Sequence, residues 1–412
     1  MSILKPIKTF FLPLLKPLFF WLLVLYIFIE FFLFHNFNKL PYKFLNHTSG
    51  PVRLLADYSK KEVIPENYFA LVGDSNVYGF GPWLYDNSWS MEQPSFATHH
   101  LLNKDLGTDV VAFGYPGYGN LGSSLTAVAE HRYLNESLLW SDFPFPKNIL
   151  FVFYEGNDLI NNLHEIEQRG FSLDNPMDEK FDMEIESLLK SEEQRLLAEY
   201  SILDQSPTWN LTTGIVKNYF GKFFLSKEKE PVSISKKNDL KENESLSKDL
   251  RQSAENRALI NKNKTDLGYC EGPALLMTSG EIDQSMRILH HSLSYLKNYF
   301  SESRVCVVYL PSSLSIYEFK NSSVRPAPLQ LNSSYRHKAL SPEFAKERNL
   351  MLRRKVSEIA SNLDLELIDT TDFFKSKSRS LLLHGPRDPI HLNRKGFETF
   401  TEAILRDLRK KS

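Results

Sequence analysis

The sequence predicts a three-layer α/β/α fold in which helices cover both faces of a mostly parallel sheet. Short apolar runs typical of buried strands alternate along the chain with longer segments of helical periodicity. Three of these apolar runs open directly into loops that carry serine, glycine or asparagine. Because the carboxyl ends of parallel strands form the ligand-binding edge of such a sheet, we expect the functional residues to lie there.

The strand-like runs are short, rich in β-branched and aromatic residues, and bounded by turn residues. The helical segments are longer and repeat their apolar residues at a spacing of three or four. The predicted strands are 68–72, 110–113, 149–153, 305–310 and 365–369, and the predicted helices are 282–300, 342–363 and 394–410.

Two short motifs at opposite ends of the chain supply the side chains of a serine hydrolase. The first strand opens into Gly-Asp-Ser-Asn at 73–76, which puts Ser75 at a strand-to-turn junction. Asp388 and His391 lie three residues apart, so one turn of chain can present both on one face. We predict that His391 takes the proton of Ser75 and that Asp388 orients its ring. Each motif alone also occurs as ordinary turn or helix-start chemistry.

The next two strands open into loops suited to stabilising negative charge. The loop 114–120 is rich in glycine, which lets a backbone amide approach a ligand closely, and Gly117 is the predicted donor. The third strand opens into 154–159, where the Asn157 side chain can donate a neutral hydrogen bond. A plain turn glycine at 117 and a helix N-cap at Asn157 are the alternatives.

Together these blocks resemble the SGNH (GDSL-like) hydrolases, a family named for an ordered Ser, Gly, Asn and His. The resemblance covers roughly residues 66–160 and 300–408. It implies the SGNH fold, with a flavodoxin-like sheet. It implies that Ser75 attacks an ester carbonyl and that His391 is general base and then acid. The implied oxyanion hole comprises the backbone amides of Ser75 and Gly117 and the Asn157 side chain.

Two positions depart from the family pattern. Glu155 stands where the third block usually has its first glycine, and Ala112 stands where many members carry an asparagine before the second block. Neither departure removes a catalytic group. Glu155 is expected to add a carboxylate beside the site and so to bear on the substrate.

The N-terminus predicts a membrane anchor. Residues 17–34 are nearly continuous apolar sequence, interrupted by Glu30, and are about long enough to cross a bilayer. Lys5, Lys8 and Lys16 precede the run, which favours a cytoplasmic N-terminus and a periplasmic or extracellular remainder. No small-residue cleavage site follows, so we predict an uncleaved signal anchor rather than a long cleaved signal peptide or a buried helix. Glu30 is expected near the outer interface.

The chain has 412 residues, and without the anchor it is still long enough for one large domain with an insertion. The apolar piece 200–224 of the insertion is predicted to cap the site, with binding to the membrane surface as the alternative. The predicted units are the cytoplasmic stub and anchor 1–36, a linker 37–65, the catalytic domain 66–164 and 267–412, and a polar insertion 165–266 that is partly helical or mobile.

Composition and residue spacing limit the kinds of ligand and partner that this chain is expected to bind. A net charge of -1 argues against nucleic acid. Cys270 and Cys306 could form a disulfide, or Cys306 could be buried on a strand with Cys270 loose. The adjacent pairs His99-His100 and His290-His291 are not expected to face one metal, so no metal site and no cofactor are predicted. His384 could compete with His391, but its Gly-Pro neighbours indicate a turn.

Three functions fit these expectations. The first is an esterase or deacetylase that acts on an acylated glycan or lipid outside the cytoplasm. The second is an O-acyltransferase with the same triad, whose acceptor is a sugar hydroxyl of a cell-surface glycan instead of water. The third is a non-catalytic binding protein on the same fold. The sequence leaves the oligomeric state open.

Overall fold

The computed structural model describes most of the chain, and all statements below concern those residues. The charged run 227–230 and the greater part of the polar stretch 233–264 lie outside them. The described residues are 5–45, 48, 50–81, 95–140, 143–170, 179–224, 256–268, 270–320, 322–326, 340–385, 388 and 390–411.

Five parallel strands form the central sheet, in the order β2-β1-β3-β6-β7. Numbered within the sheet, this is the order 2-1-3-4-5 of flavodoxin-like sheets. All five predicted strands are confirmed, with ends that differ by one residue at most. An antiparallel hairpin, β4-β5, lies outside the sheet. The strands are β1 Phe69–Gly73, β2 Val110–Gly114, β3 Asn148–Tyr154, β4 Arg257–Ile260, β5 Asn263–Asp266, β6 Arg304–Leu310 and β7 Glu366–Asp369.

Helices precede, connect and follow the strands. The three predicted helices correspond to α9, α11 and α13, and α9 begins with a capping box between Thr278 and Glu281. The helices are α1 Lys5–Asn36, α2 Tyr42–Leu45, α3 Ser75–Tyr78, α4 Thr98–Leu106, α5 Asn120–Asn135, α6 Asp158–Gln168, α7 Glu179–Glu199, α8 Pro207–Phe224, α9 Ser279–Tyr299, α10 Ser313–Ile316, α11 Pro342–Asn362, α12 Thr371–Ser378 and α13 Arg394–Lys411.

The sheet is covered on both faces because its residues alternate between two apolar clusters. In β3, Phe151 and Phe153 join the first cluster, whereas Leu150 and Val152 join the second. Helices α5, α6, α7, α9 and α11 cover the first face, and α3, α4, α12 and α13 cover the second. The fold is therefore α/β with three layers.

The segment 37–65, which the sequence predicts as a linker, packs into the body. Phe37, Val52 and Leu55 are fully buried in the first apolar cluster. Ser59 then pairs with the open edge of β2: the Val110 amide donates to the Ser59 carbonyl oxygen at 2.8 Å. The apolar residues of segment 37–65 are too few and too scattered to show the periodicity of a helix or a strand. For that reason the sequence alone predicted a linker.

The described parts of the insertion 165–266 form two long helices, a 3-10 turn and a hairpin. Helix α7 buries Phe181, Ile185 and Leu189 in the first cluster. The hairpin β4-β5 turns at Asn261 and Lys262, both with positive φ, as tight hairpin turns require. Helix α8 packs mainly against α1, the 3-10 turn Ile202–Gln205 and α2, and not against the strand ends that carry the predicted site.

Among the described residues, one segment, Lys16–Lys39, is long and apolar enough to cross a membrane; it comprises most of α1 and the 3-10 turn Phe37–Lys39 that follows it. Most of its apolar side chains are exposed, as in a helix that faces lipid. The two cysteines are buried and are not joined in a disulfide. Cys306 lies on β6, in agreement with one of the two alternatives, but Cys270 is buried as well.

Candidate active site

Ser75 is the first residue of α3 and directly follows the turn after β1. The Asp74 side chain caps this short helix by accepting from the Asn76 amide at 2.9 Å. A side chain at Gly114, at the end of the neighbouring β2, would collide with the backbone of Tyr78. The close packing of β2 against α3 therefore needs glycine at 114 and fixes where the serine lies.

The structure brings Ser75, His391 and Asp388 together although 316 positions separate the first two. His391 Nε2 lies 3.0 Å from the Ser75 hydroxyl, and His391 Nδ1 lies 2.6 Å from Asp388 Oδ2. The Phe80 ring packs on the imidazole, with 5.0 Å between ring centroids. This order of base, orienting carboxylate and hydroxyl is the geometry that nucleophilic serine chemistry requires.

Hydrogen bonds within its own turn fix the orientation of the Asp388 carboxylate. Its Oδ1 accepts the backbone amides of Ile390 at 3.1 Å and His391 at 3.2 Å, which leaves Oδ2 for the imidazole. The Tyr154 hydroxyl, at the end of β3, donates to the Ile390 carbonyl oxygen at 3.2 Å. One end of the sheet is thereby fastened to the turn that contains His391.

The charges around His391 favour its action as a base. Burial disfavours the imidazolium, but the hydrogen bond and charge of Asp388, helped by Glu271 and Asp74, outweigh burial and raise the pKa of His391. The bond from the imidazole likewise lowers the pKa of Asp388 despite its burial. With Nδ1–H donating to Asp388, Nε2 of the neutral ring is free to accept the Ser75 proton.

Asp74 is a second carboxylate next to the serine. The Ser75 hydroxyl lies 3.3 Å from Asp74 Oδ2, which is longer than its 3.0 Å distance to His391. Burial raises the pKa of Asp74, although hydrogen bonds from Asn76 oppose this. The Ser75 hydroxyl has one proton to donate. Because His391 Nε2 is closer, it is a better acceptor for that proton than Asp74 Oδ2.

Gly117 lies in the exposed loop between β2 and α5, with φ of +85°. This left-handed conformation strains any residue with a side chain, so the loop requires glycine here. The loop is held from α6: Glu165 accepts the amides of Gly119 at 2.7 Å and Gly122 at 2.8 Å, and the Asn120 amide donates to Asn162 at 2.6 Å. The glycine loop and α6 thus form one rigid unit.

Asn157 stands at the N-cap position of α6, but its side chain makes no capping hydrogen bond. Its Oδ1 is buried and has no partner among the described residues. The neighbouring Asp158 instead fixes the turn, because its Oδ2 accepts the Tyr154 amide and the Asn120 side chain, each at 2.8 Å. The Asn157 side chain is therefore not committed to the helix, unlike in the N-cap alternative.

Glu155 does not face the site, contrary to the expectation from its position in the third block. It is 1% exposed and accepts hydrogen bonds from three side chains and one backbone amide. The side-chain donors are the Tyr309 hydroxyl at 2.7 Å, the Ser312 hydroxyl at 2.7 Å and the Asn349 amide at 2.6 Å. This carboxylate joins β3, β6 and α11, and its role is structural.

The carboxyl group that does lie beside the site belongs to Glu271, which the sequence analysis did not single out. Glu271 is fully buried, and neither carboxylate oxygen has a well-formed hydrogen bond among the described residues. It packs against Gly156, where any side chain would collide with it. Burial raises its pKa to about 8, which a nearby Tyr154 hydroxyl and His391 only partly oppose. Only its place in a Cys-Glu-Gly-Pro turn marked it in the sequence.

His384 is not an alternative base. Its Nδ1 lies 3.3 Å from the Tyr317 hydroxyl, and the hydrogen bonds found for Ser75 go to His391 and Asp74. Burial lowers the pKa of His384 to about 3, so the ring is neutral and structural.

The adjacent residues His99 and His100 were not expected to face one metal, but both lie close to the same carboxylate, that of Asp57. One ligand atom from each of Asp57, His99 and His100 lies within 4.8 Å of the others. Both rings reach Asp57 because they stand in the first turn of α4, next to the edge of β2. Asp57 is already used there: it accepts the Ser59 hydroxyl at 2.8 Å and the Ala112 amide at 3.3 Å. The cluster serves to close the strand edge.

Neither a protein-family model nor a curated protein sequence matches this chain. The candidate site is therefore judged by its own geometry.

Proposed function

We propose that this protein is a membrane-anchored serine esterase or deacetylase with the SGNH (GDSL-like) fold. The single observation that carries this proposal is the hydrogen-bonded series from Asp388 through His391 to Ser75, with distances of 2.6 and 3.0 Å. The proposed substrate class is an O-acyl ester of a glycan or lipid outside the cytoplasm. Lys5, Lys8 and Lys16, which precede the apolar run of α1, support a cytoplasmic N-terminus.

In the proposed reaction, Ser75 Oγ attacks the ester carbonyl carbon while His391 Nε2 takes the hydroxyl proton. The backbone amides of Ser75 and Gly117 and the Asn157 side chain hold the oxyanion. Collapse of this intermediate expels the alcohol, which takes the proton from His391. Water then attacks the acyl-enzyme, gives a proton to His391, and the released serine recovers it.

The test uses the full-length protein in detergent, a chromogenic acetyl ester and a fluorophosphonate probe. Wild type is expected to hydrolyse the ester and to be labelled at Ser75. Ser75→Ala should abolish labelling, and His391→Ala should reduce turnover by roughly 10⁴-fold or more. His290→Ala, a half-buried histidine on α9, is the control and should be unchanged. Wild-type protein that is neither labelled nor active would favour the non-catalytic alternative.

An O-acyltransferase is the second candidate, because the site is poorly exposed to water. Ser75 is 6% exposed and the His391 side chain is 16% exposed. Restricted water access favours capture of an acyl-enzyme by another hydroxyl. Product analysis with an added glycan acceptor distinguishes the two: acyl-glycan indicates transfer, and free acid alone indicates hydrolysis.

A further inference from the structure

The outer half of α1 is docked on the body of the protein. The Tyr26 hydroxyl lies 2.8 Å from the Ser206 hydroxyl, and Glu30 accepts from the Ser206 hydroxyl at 3.0 Å and the Thr208 amide at 3.1 Å. Farther along, the Phe34 ring stacks on Trp140 with 4.4 Å between centroids. Glu30, the one charge in the apolar run, thus obtains its partners from the first turn of α8.

These contacts indicate at what depth in the membrane the body of the protein meets α1. A helix rises about 1.5 Å per residue, so residues 17–36 span about 30 Å, the thickness of the hydrocarbon core. Glu30 and Phe34 lie in the outer half of that span, and Tyr26 lies at its middle. The parts of the body that touch them, 140 and 206–208, therefore stand at the level of the outer leaflet and not above it.

Exposed apolar side chains surround this docking point. Of the eleven large apolar side chains that are exposed in the described residues outside α1, six lie in segments 138–139, 202–203 and 207–224. Leu138 is 78% exposed and Ile202 is 63% exposed. We call this group the collar, and it comprises Leu138, Leu139, Ile202, Leu203, Trp209 and Val216.

The collar is one surface because its three segments are tied together. Gln205 accepts the Leu138 amide at 3.2 Å through its side chain and the Trp140 indole N–H at 2.8 Å through its carbonyl oxygen. Ser206 then links the same turn to α1. Trp209 and Val216 are seven residues apart on α8 and so lie on one face of that helix.

We propose that the collar is a second membrane contact, which enters the outer leaflet at the boundary between headgroups and acyl chains beside α1. The proposal rests on the proposed membrane anchoring but not on the serine chemistry. Lipid is the occupant because the collar is continuous with a lipid-facing helix at a depth where hydrocarbon begins. Tryptophan is also the side chain most enriched at that boundary.

The experiment measures lipid contact at the collar in the full-length protein reconstituted in phosphatidylcholine vesicles. Leu203→Cys is labelled with an environment-sensitive thiol dye, and quenching by lipids with a nitroxide near the top of the acyl chain is recorded. Leu350→Cys is the matched control, since Leu350 is 54% exposed and Leu203 is 50% exposed. The native cysteines are buried, so unsubstituted protein reports background labelling.

We expect quenching severalfold stronger at position 203 than at position 350, and the same for Leu138→Cys. Equal, weak quenching at 203 and 350 would overturn the proposal. A dye at 203 that reports an apolar environment without quenching by lipid nitroxide would indicate a protein occupant and would also overturn it. Hydrolysis of the soluble ester by these variants tests the proposed function separately, because the collar is outside the site.

Discussion

At the residue scale, single atoms decide which groups are available for chemistry. Asp388 uses one oxygen for two backbone amides and the other for His391, so the imidazole has a fixed direction. The sequence could predict this pair because the spacing alone puts both on one turn. The sequence could not show which of Glu155 and Glu271 lies beside the site. Long-range packing decides which of the two carboxyl groups is surrounded by hydrogen-bond donors.

Asn157→Ala tests the oxyanion role at this scale. The side chain is free of the helix cap, so its loss should leave the fold intact and remove one donor to the oxyanion. We expect turnover to fall by roughly 100-fold to 1,000-fold, with fluorophosphonate labelling retained but slower. Asn298→Ala, at an exposed asparagine on α9, is the control and should change turnover little. A near-wild-type rate for Asn157→Ala would exclude the donor role.

Glu271→Gln tests the buried carboxyl group through stability. Burial raises the pKa of Glu271 to about 8 from an ordinary value of 4.5, so the folded protein keeps a proton that the unfolded chain loses between these values. Stability contributed by this group is therefore complete below pH 4.5 and is lost as pH rises to 8, by at most about 1.4 kcal/mol per pH unit.

The measurement is urea unfolding in detergent at pH 5.5 and pH 8. Wild type should lose more stability over this interval than Glu271→Gln, which has no proton to lose. Glu302→Gln, an exposed glutamate, should behave as wild type. Parallel pH dependence in wild type and Glu271→Gln would show that this carboxyl group is not held protonated.

At the scale of elements, the sheet was predictable and the additions to it were not. The strands β1, β2, β3 and β6 consist almost wholly of apolar residues because both of their faces are buried, a pattern that survives without any tertiary information. The edge strand β7 is short and partly exposed. By contrast, α7 buries an apolar stripe on an otherwise charged helix, and β4-β5 is held largely by backbone pairing. Such elements depend on partners far away in sequence, so local composition predicted only a polar insertion that is partly helical or mobile.

Gly114→Ala tests how the β2 end positions the nucleophile helix. A methyl group there would overlap the backbone of Tyr78, so α3 must shift and carry Ser75 away from His391. We expect both a lower unfolding midpoint and a loss of activity of roughly 100-fold, since misplacement by about 1 Å has effects of that size.

Gly280→Ala is the matched control, because nothing lies within 4 Å of the added methyl group on α9. It should keep full activity and be as stable as wild type or slightly more so. Unchanged activity in Gly114→Ala would mean that β2 does not set the position of Ser75.

At the scale of the whole molecule, the apolar helix α1 is part of the folded body and not a tether. Leu33 and Phe37 are buried in the first apolar cluster, and Phe34 stacks on the fully buried Trp140. The C-terminal half of α1 is therefore packed against the body of the protein. Its length and apolar composition were evident in the sequence, but this docking was not, because it depends on side chains more than 100 positions away.

Phe34→Ala should loosen this junction and lower the stability of the whole domain by about 1–2 kcal/mol, through lost burial and ring stacking. The measurement is thermal unfolding in detergent, followed by tryptophan fluorescence. Phe28→Ala, whose side chain is 66% exposed on the same helix, should leave the unfolding temperature unchanged. Equal effects of the two substitutions would mean that α1 and the body unfold independently.

Because 316 positions separate Ser75 from His391, the two side chains are made at different times during synthesis. The ribosome makes Ser75 long before it makes Asp388 and His391. A chain that stops before position 388 therefore has the proposed nucleophile without its proposed base. If export proceeds from α1 outward, the proposed triad is complete only after the residues between Ser75 and His391 have crossed the membrane.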